Sequence, residues 1–123
     1  MSRSNGPWVR IDARYLANPK VRRAGFDGAL MHLAAICYLG EHGVEDGFLP
    51  TEAVPVLAPL ALANGVDPAP VVDRLVRSGL WHPAARRGGY VVHDFDEFNG
   101  AKSEASAARR RKRRQRERAA TEQ

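Results

Sequence analysis

The sequence predicts a small α+β domain that is mainly helical and contains one β-hairpin. Apolar residues recur at helical spacing in separate stretches, and two strand-forming runs are split by a glycine-containing loop. The length of 123 residues suits one domain, and an apolar fraction of 44% allows a modest core. We expect a flexible lead-in at residues 1–7, the folded domain at 8–100 and a tail at 101–123.

The first part of the domain is predicted to be an extended segment followed by a helical turn. Residues 8–12, WVRID, alternate bulky apolar and polar side chains, as in a half-buried strand or an extended arm. Asn18 and Pro19 then begin a short helical turn, with proline at its first position.

The stretch Phe26–Gly43 is predicted to be the central helix of the domain. Its residues Leu30–Leu39 are apolar on nearly every face, and only His32 interrupts them. A helix that is hydrophobic all round must be wrapped by other elements, so Cys37 is expected to be a buried thiol. Asp27 is the predicted N-cap.

A short helix is predicted after a turn and a very short extended piece at residues 46–50. Thr51 is a favourable N-cap for this helix, and Pro59 should end or kink it. Leu57 and Leu60 are expected to contribute to the core.

The next helix is predicted at residues 67–78 and the hairpin at residues 80–93. Apolar residues of this helix recur at helical spacing, whereas Asp73, Arg74 and Arg77 fall on the opposite, exposed face. Two strand-forming runs separated by a glycine-containing loop define the hairpin.

Helix, short strand, helix, helix and hairpin is the element order of a winged helix-turn-helix domain with, in this chain, a basic C-terminal tail. In that fold the buried first helix supports a two-helix unit. The second helix of the unit enters the DNA major groove, and the hairpin, or wing, contacts an adjacent groove or the backbone.

Several short motifs also resemble a known family. They are WVRID (8–12), NPKVRR (18–23), DGFLP (46–50), LVRSGLW (75–81) and GYVVHDFDEFN (89–99), followed by the basic segment. This series is similar to small phage and prophage helix-turn-helix proteins, including the N-terminal domains of phage replisome organisers. The resemblance implies binding to duplex DNA at a replication origin or an operator. Replisome organisers normally also have a C-terminal domain that recruits a helicase or its loader, where this chain has a basic tail.

The net charge of +5 is concentrated in the tail. Residues 101–123 contain nine basic and three acidic residues, whereas residues 1–100 have a net charge of −1. Such a tail suits polyanions, because each neutralised phosphate releases counterions. RNA is a second possible ligand of the tail. A membrane surface is disfavoured, since residues 103–118 have no apolar face.

Basic side chains on the predicted third helix, the hairpin loop, the early helical turn and the tail are the candidates for DNA contact. Arg86 and Arg87 adjoin two glycines that allow close approach to DNA. The third helix lacks the Asn and Gln side chains that read adenine, which favours loose specificity or backbone contact. The candidate residues are Lys20, Arg22, Arg23, Arg74, Arg77, Arg86, Arg87, Arg109, Arg110, Arg111, Lys112, Arg113, Arg114, Arg116 and Arg118.

The sequence does not predict an enzyme, a metal site or a cofactor. It has a single cysteine and no glycine-rich phosphate loop. His82 and His93 lie on the two predicted strands of the hairpin and Asp94 follows, but histidines in such positions are more often packed or exposed than ligating. Without a signal peptide or a membrane-spanning run, the expected location is the cytoplasm, that of the bacterial host if the protein is phage-encoded.

An alternative hypothesis treats the domain as a protein-interaction module. Exposed apolar residues such as Trp8, Trp81 or Phe98 would then bind a host or phage protein, for example a replication protein. The Arg-rich tail would bind RNA or DNA non-specifically. A homodimer is a further possibility, because many helix-turn-helix domains bind two-fold DNA sites.

Overall fold

The computed structural model describes residues 7–99, except the side chains of residues 97 and 98, together with residues 115, 116, 118 and 119. The elements in chain order are α1 (Pro19–Glu41), β1 (Phe48–Pro50), α2 (Val54–Ala61), α3 (Ala69–Ser78), β2 (Trp81–Ala84), β3 (Gly89–Val92) and α4 (Phe95–Asn99). The predicted class is therefore confirmed: the protein is mainly helical with a small antiparallel sheet. Most of the predicted lead-in and tail lies outside the described residues.

The sheet has three strands, with β3 in the centre. The predicted hairpin is present, because β2 pairs with β3 and Trp81 lies opposite Val92. β1 pairs with the other edge of β3, with Phe48 opposite Val91. The sequence predicted β1 only as an extended piece, since three residues are too few to show a strand period. Strand β2 extends through Ala84 and β3 begins at Gly89, so residues 85–88 connect the two strands of the hairpin.

Helix α1 joins two segments that the sequence predicted separately. It begins at Pro19, and the Asn18 side chain accepts a hydrogen bond from the Lys20 amide, as expected for an N-cap. The helix then continues across a kink at Gly25, whose φ of 79° and ψ of 177° are not helical. Asp27 is therefore not the N-cap that the sequence predicted, and its carboxylate pairs with Arg74 instead.

The core lies where α1 packs against α3 and the sheet. Met31 and Leu39 of α1, Leu75 of α3 and Trp81 of β2 are fully buried. The indole Nε1–H of Trp81 donates a hydrogen bond to Nδ1 of His32 at 3.1 Å. Burial lowers the pKa of His32 to about 4, so this side chain is neutral at pH 7 and belongs to the core.

The prediction that α1 is wrapped on every side is wrong. Leu30 is 49% exposed, Phe26 is 91% exposed, and Cys37 is exposed rather than buried. Leu60 of α2, predicted as a core residue, is 76% exposed. The other elements cover one face of α1, and its opposite face remains apolar and accessible.

The start of α2 also differs from the prediction. A 3-10 turn, Thr51–Ala53, precedes the helix, and Thr51 makes no capping hydrogen bond to it. The Thr51 hydroxyl instead donates to the carbonyl of Gly88 at 2.9 Å, which joins β1 to the end of the hairpin. Pro59 lies inside α2, and the helix ends two residues later at Ala61.

The first described residues form an arm, the second of the two predicted alternatives for residues 8–12. They have no regular secondary structure, and Val9 packs against the core. The backbone of Arg10 exchanges two hydrogen bonds with the side chain of Asn99 in α4. Phe95 of α4 is buried, whereas the side chain of Phe98 lies outside the described residues.

Candidate nucleic-acid interface

The tip of the hairpin is a short 3-10 turn, Ala85–Arg87, followed by Gly88. Gly88 has a φ of 77°, a left-handed conformation that glycine adopts without strain. Its carbonyl accepts hydrogen bonds from both the amide and the hydroxyl of Thr51, at 3.0 and 2.9 Å. These contacts hold the tip against the end of β1, so the position of its basic residues is defined.

Arg86 and Arg87 occupy this tip but differ in their partners. Arg86 is exposed and has no ion-pair or hydrogen-bond partner within the described part of the chain. Arg87 donates a hydrogen bond to the carboxylate of Asp46 at 3.0 Å, and its guanidinium lies 4.1 Å from the centre of the Phe48 ring. Arg87 therefore folds back onto the start of β1, whereas Arg86 is available to a ligand.

The Asp46 carboxylate at the base of the tip is held in its charged form. Its pKa is lowered chiefly by a hydrogen bond from the Phe48 amide, and in addition by Arg87. Both side chains of the pair remain more than half exposed, at 52% for Arg87 and 58% for Asp46. A pair with such exposure contributes at most about 1 kcal/mol, so Arg87 can exchange Asp46 for a phosphate at low cost.

Helix α3 is amphipathic as predicted, but its charges are compensated. Val71, Val72 and Leu75 are buried against the core. On the outer face, Arg77 pairs with Asp73 one turn earlier, with Nη2 and Oδ2 2.9 Å apart. At the start of the helix, the Asp67 carboxylate accepts a hydrogen bond from the Ala69 amide.

Arg74 does not lie on the open face of α3 where the sequence placed it. Its guanidinium crosses to α1, where it makes two hydrogen bonds to the Asp27 carboxylate at 2.8 and 2.7 Å and one to the Ala24 carbonyl at 2.7 Å. The hydrogen bonds from Arg74 are the main cause that lowers the pKa of Asp27. Gly25 makes room for this arrangement, because a Cβ there would lie 2.7 Å from Nη1 of Arg74. Arg74 thus fastens α3 to the kink of α1.

The basic residues at the start of α1 also differ from one another in their surroundings. The ammonium of Lys20 lies 3.0 Å from Nε2 of His93, at the base of the hairpin. Arg22 and Arg23 are exposed. Their contact with phosphates stays a prediction, as does that of Lys20.

His82 and His93 come together at the base of the hairpin. Nε2 of His82 lies 2.8 Å from Nδ1 of His93, and Nε2 of His93 lies 3.2 Å from the Asp94 carboxylate. Within the described ranges, no group of three or more His, Cys, Asp or Glu side chains is arranged to hold a metal ion. The close contacts join β2, the residue that follows β3 and the start of α1.

Only four positions of the predicted tail are described. Gln115, Arg116, Arg118 and Ala119 are helical and exposed. The remaining tail candidates, Arg109 to Arg114 including Lys112, lie outside the described residues.

Comparisons with protein families, with curated proteins and with solved structures gave no match for this chain. Among the helices of the described part, none is long and apolar enough to cross a membrane.

Proposed function

We propose that this protein is a winged helix-turn-helix protein that binds double-stranded DNA without enzymatic activity. The observation that carries the proposal is the hairpin of β2 and β3, which directly follows α3 and presents Arg86 at its tip. α2 and α3 correspond to the two-helix unit of such domains, and α1 to the supporting helix. The pairing of β1 with β3 supports the same fold, because it anchors the hairpin to the domain.

The charges of the domain favour the hairpin tip over α3 as the main electrostatic contact. Arg74 and Arg77 are each paired with an aspartate, whereas Arg86 is not paired with any described residue. Arg77 can still exchange Asp73 for a phosphate, since a surface ion pair is worth only about 1 kcal/mol or less. We therefore propose that α3 docks by shape and that Arg86 supplies the stronger phosphate contact.

The basic tail adds affinity that does not depend on sequence. Seven of the eight residues from Arg109 to Arg116 are basic. If the tail neutralises about six phosphates, affinity should fall about a thousandfold between about 50 and 200 mM salt. The resemblance stated above suggests a role in phage-type replication initiation or in transcriptional regulation, in the cytoplasm of a bacterial host.

The test compares duplex binding by four full-length proteins. They are the wild type, the variant Arg86→Ala, a variant in which the six basic residues at 109–114 are replaced by glutamine, and the variant that combines both changes. We expect the tail variant to bind duplex DNA with a weaker dependence of log affinity on log salt concentration, called here the salt slope. Arg86→Ala should weaken duplex binding both with the wild-type tail and with the glutamine-substituted tail. If the tail variant loses all duplex binding and Arg86→Ala equals the wild type, the folded domain does not bind DNA.

A second candidate function is a protein-interaction module, and one observation favours it. The outer face of α1 and α2 exposes large apolar side chains, which mark interaction sites when they are contiguous. Of the predicted anchors, Trp8 is 67% exposed, whereas Trp81 is fully buried and is excluded. Recovery of one host or phage protein at high salt after nuclease treatment, with no duplex binding by the domain, would favour this function over the first.

A further inference from the structure

The outer face of α1 and α2, called here the α1–α2 surface, is the largest unexplained feature of the described chain. On α1, residues Phe26, Leu30, Leu33 and Cys37 follow each other at helical spacing and form one stripe. Val56 and Leu60 of α2 extend this stripe sideways and are 54% and 76% exposed. A single exposed leucine needs no explanation, but a contiguous group of this size does.

The surface is concave rather than flat. A groove of about 510 Å³ runs between α1 and α2. Its lining includes Leu33, Ala34 and Leu57, together with Glu41 and His42. The small side chain of Ala34 in this lining allows the backbone of another helix to approach closely.

The charges at the two ends of the stripe have opposite signs. Arg22 and Arg23 are exposed and lie four and three residues before Phe26, on the other side of the Gly25 kink. Glu41 is exposed and continues the stripe at its other end, four residues after Cys37. From Phe26 to Glu41 the helix is about 22 Å long, which is sufficient for a helix–helix contact of several turns.

We propose that the α1–α2 surface is a homodimer interface, in which the α1 helices of two copies pack antiparallel about a two-fold axis near Leu33. This arrangement brings Glu41 of each copy near Arg22 and Arg23 of the other. It also places Leu30 of one copy against Cys37 of the other. A parallel arrangement would instead bring like charges together. An isologous interface needs such a self-complementary surface, and this stripe has one.

The dimer explains why the sequence predicts a fully covered α1 whereas the structure of the monomer leaves one face of α1 exposed. A helix that is apolar on all faces requires cover on all faces, and in the monomer only one face of α1 is covered. A second copy supplies the missing cover for Leu30 and Phe26. In this dimer Arg22 and Arg23 contact the partner copy rather than a phosphate.

The experiment is sedimentation equilibrium of the full chain after nuclease treatment, at about 0.5 M salt so that charged contacts through residual nucleic acid are screened. We expect a reversible dimer at micromolar concentrations. Leu60→Glu and Leu30→Glu should each raise the dissociation constant at least about a hundredfold, because each charge would be buried twice in a two-fold interface. Leu16→Glu is the matched control, since Leu16 is 77% exposed but lies outside the surface.

Charge reversal tests the antiparallel arrangement at low salt. Glu41→Arg alone, and Arg22→Glu with Arg23→Glu, should each weaken the dimer, and the three changes together should restore it.

A protein that remains monomeric, or a dimer that is insensitive to Leu60→Glu and Leu30→Glu, overturns the proposal. A dimer whose charge variants do not rescue each other overturns the antiparallel arrangement. Duplex binding by a monomer would overturn only this inference, whereas a dimer without duplex binding would overturn only the proposed function.

Discussion

Helix α3 and the hairpin tip each contain two arginines, but the structure uses them differently. On α3, Arg74 is bound by Asp27 and Arg77 by Asp73. At the tip, Arg87 is bound by Asp46, and Arg86 is exposed without a partner among the described residues. Three of these four cations therefore have a carboxylate partner within the domain. The number of arginines on an element therefore does not measure the unpaired positive charge on that element.

The largest expected effect concerns the stability, at acid pH, of the folded domain that carries α3 and the hairpin. His32 is 4% exposed, and its pKa of about 4 lies below the value of 6.5 that it has when unfolded. Between these two pH values the unfolded chain binds more protons, so the free energy of unfolding falls as the pH is lowered from 6.5 to 4. The shift corresponds to about 3 kcal/mol.

Urea unfolding at several pH values checks this prediction. His32→Gln should lower the slope of the free energy of unfolding against pH, between pH 4 and 6.5, by the equivalent of about one proton. An unchanged slope in His32→Gln would show that His32 does not carry the acid sensitivity.

The next largest effect is expected at the kink that receives Arg74. Gly25→Ala should lower the free energy of unfolding by about 2 kcal/mol, because alanine is strained at this backbone conformation and its Cβ would displace the guanidinium. Chemical denaturation measures the loss. The control is Gly65→Ala, where φ is also positive at 80° but no atom lies within 4 Å of the added Cβ. Equal losses in both variants would show that the position of Arg74 does not depend on Gly25.

Much of the fold was predictable from the sequence, because helical periodicity, proline positions and the glycine-containing loop are local signals. They located α3, the hairpin and the start of α1. The exposed face of α1 was not predictable in the same way, since composition states that a helix is apolar but not how many neighbours it has. The ion pairs of Arg74 and Arg87 could not be predicted from the sequence either, because their partners Asp27 and Asp46 are 47 and 41 residues away.

A third prediction concerns the hairpin tip itself. Arg86→Ala should weaken duplex binding about tenfold, the size of one charged hydrogen bond, and lower the salt slope by about 0.9. Arg87→Ala is the neighbouring control and should change the affinity less, because binding by Arg87 first requires release of Asp46. Titration of labelled duplex at several salt concentrations measures both quantities. A larger loss in Arg87→Ala than in Arg86→Ala would reverse the proposed roles.

The smallest effect, about 1 kcal/mol, is expected at the ion pair between Arg74 and Asp27. The side chains are 35% and 43% exposed, so solvent screens the pair and limits its contribution. Because the pKa of Asp27 is lowered in the folded state, this contribution is present above the unfolded pKa near 3.8 and is lost as the pH falls through the folded value. Arg74→Gln and Asp27→Asn should therefore reduce stability similarly at pH 7, as urea unfolding can measure.

The ion pair between Arg74 and Asp27 also tests whether α3 or the hairpin tip supplies the charge that contacts DNA in the proposed complex. The charge of Arg74 is already neutralised by Asp27, so Arg74→Gln should leave the salt slope of duplex binding unchanged. Arg86→Ala, measured beside it, should lower that slope. If Arg74→Gln lowers the slope as much as Arg86→Ala does, Arg74 leaves Asp27 on binding and contacts phosphate, as the position of Arg74 on α3 suggested from the sequence. In that case α3, and not the hairpin tip alone, supplies the electrostatic contact with DNA.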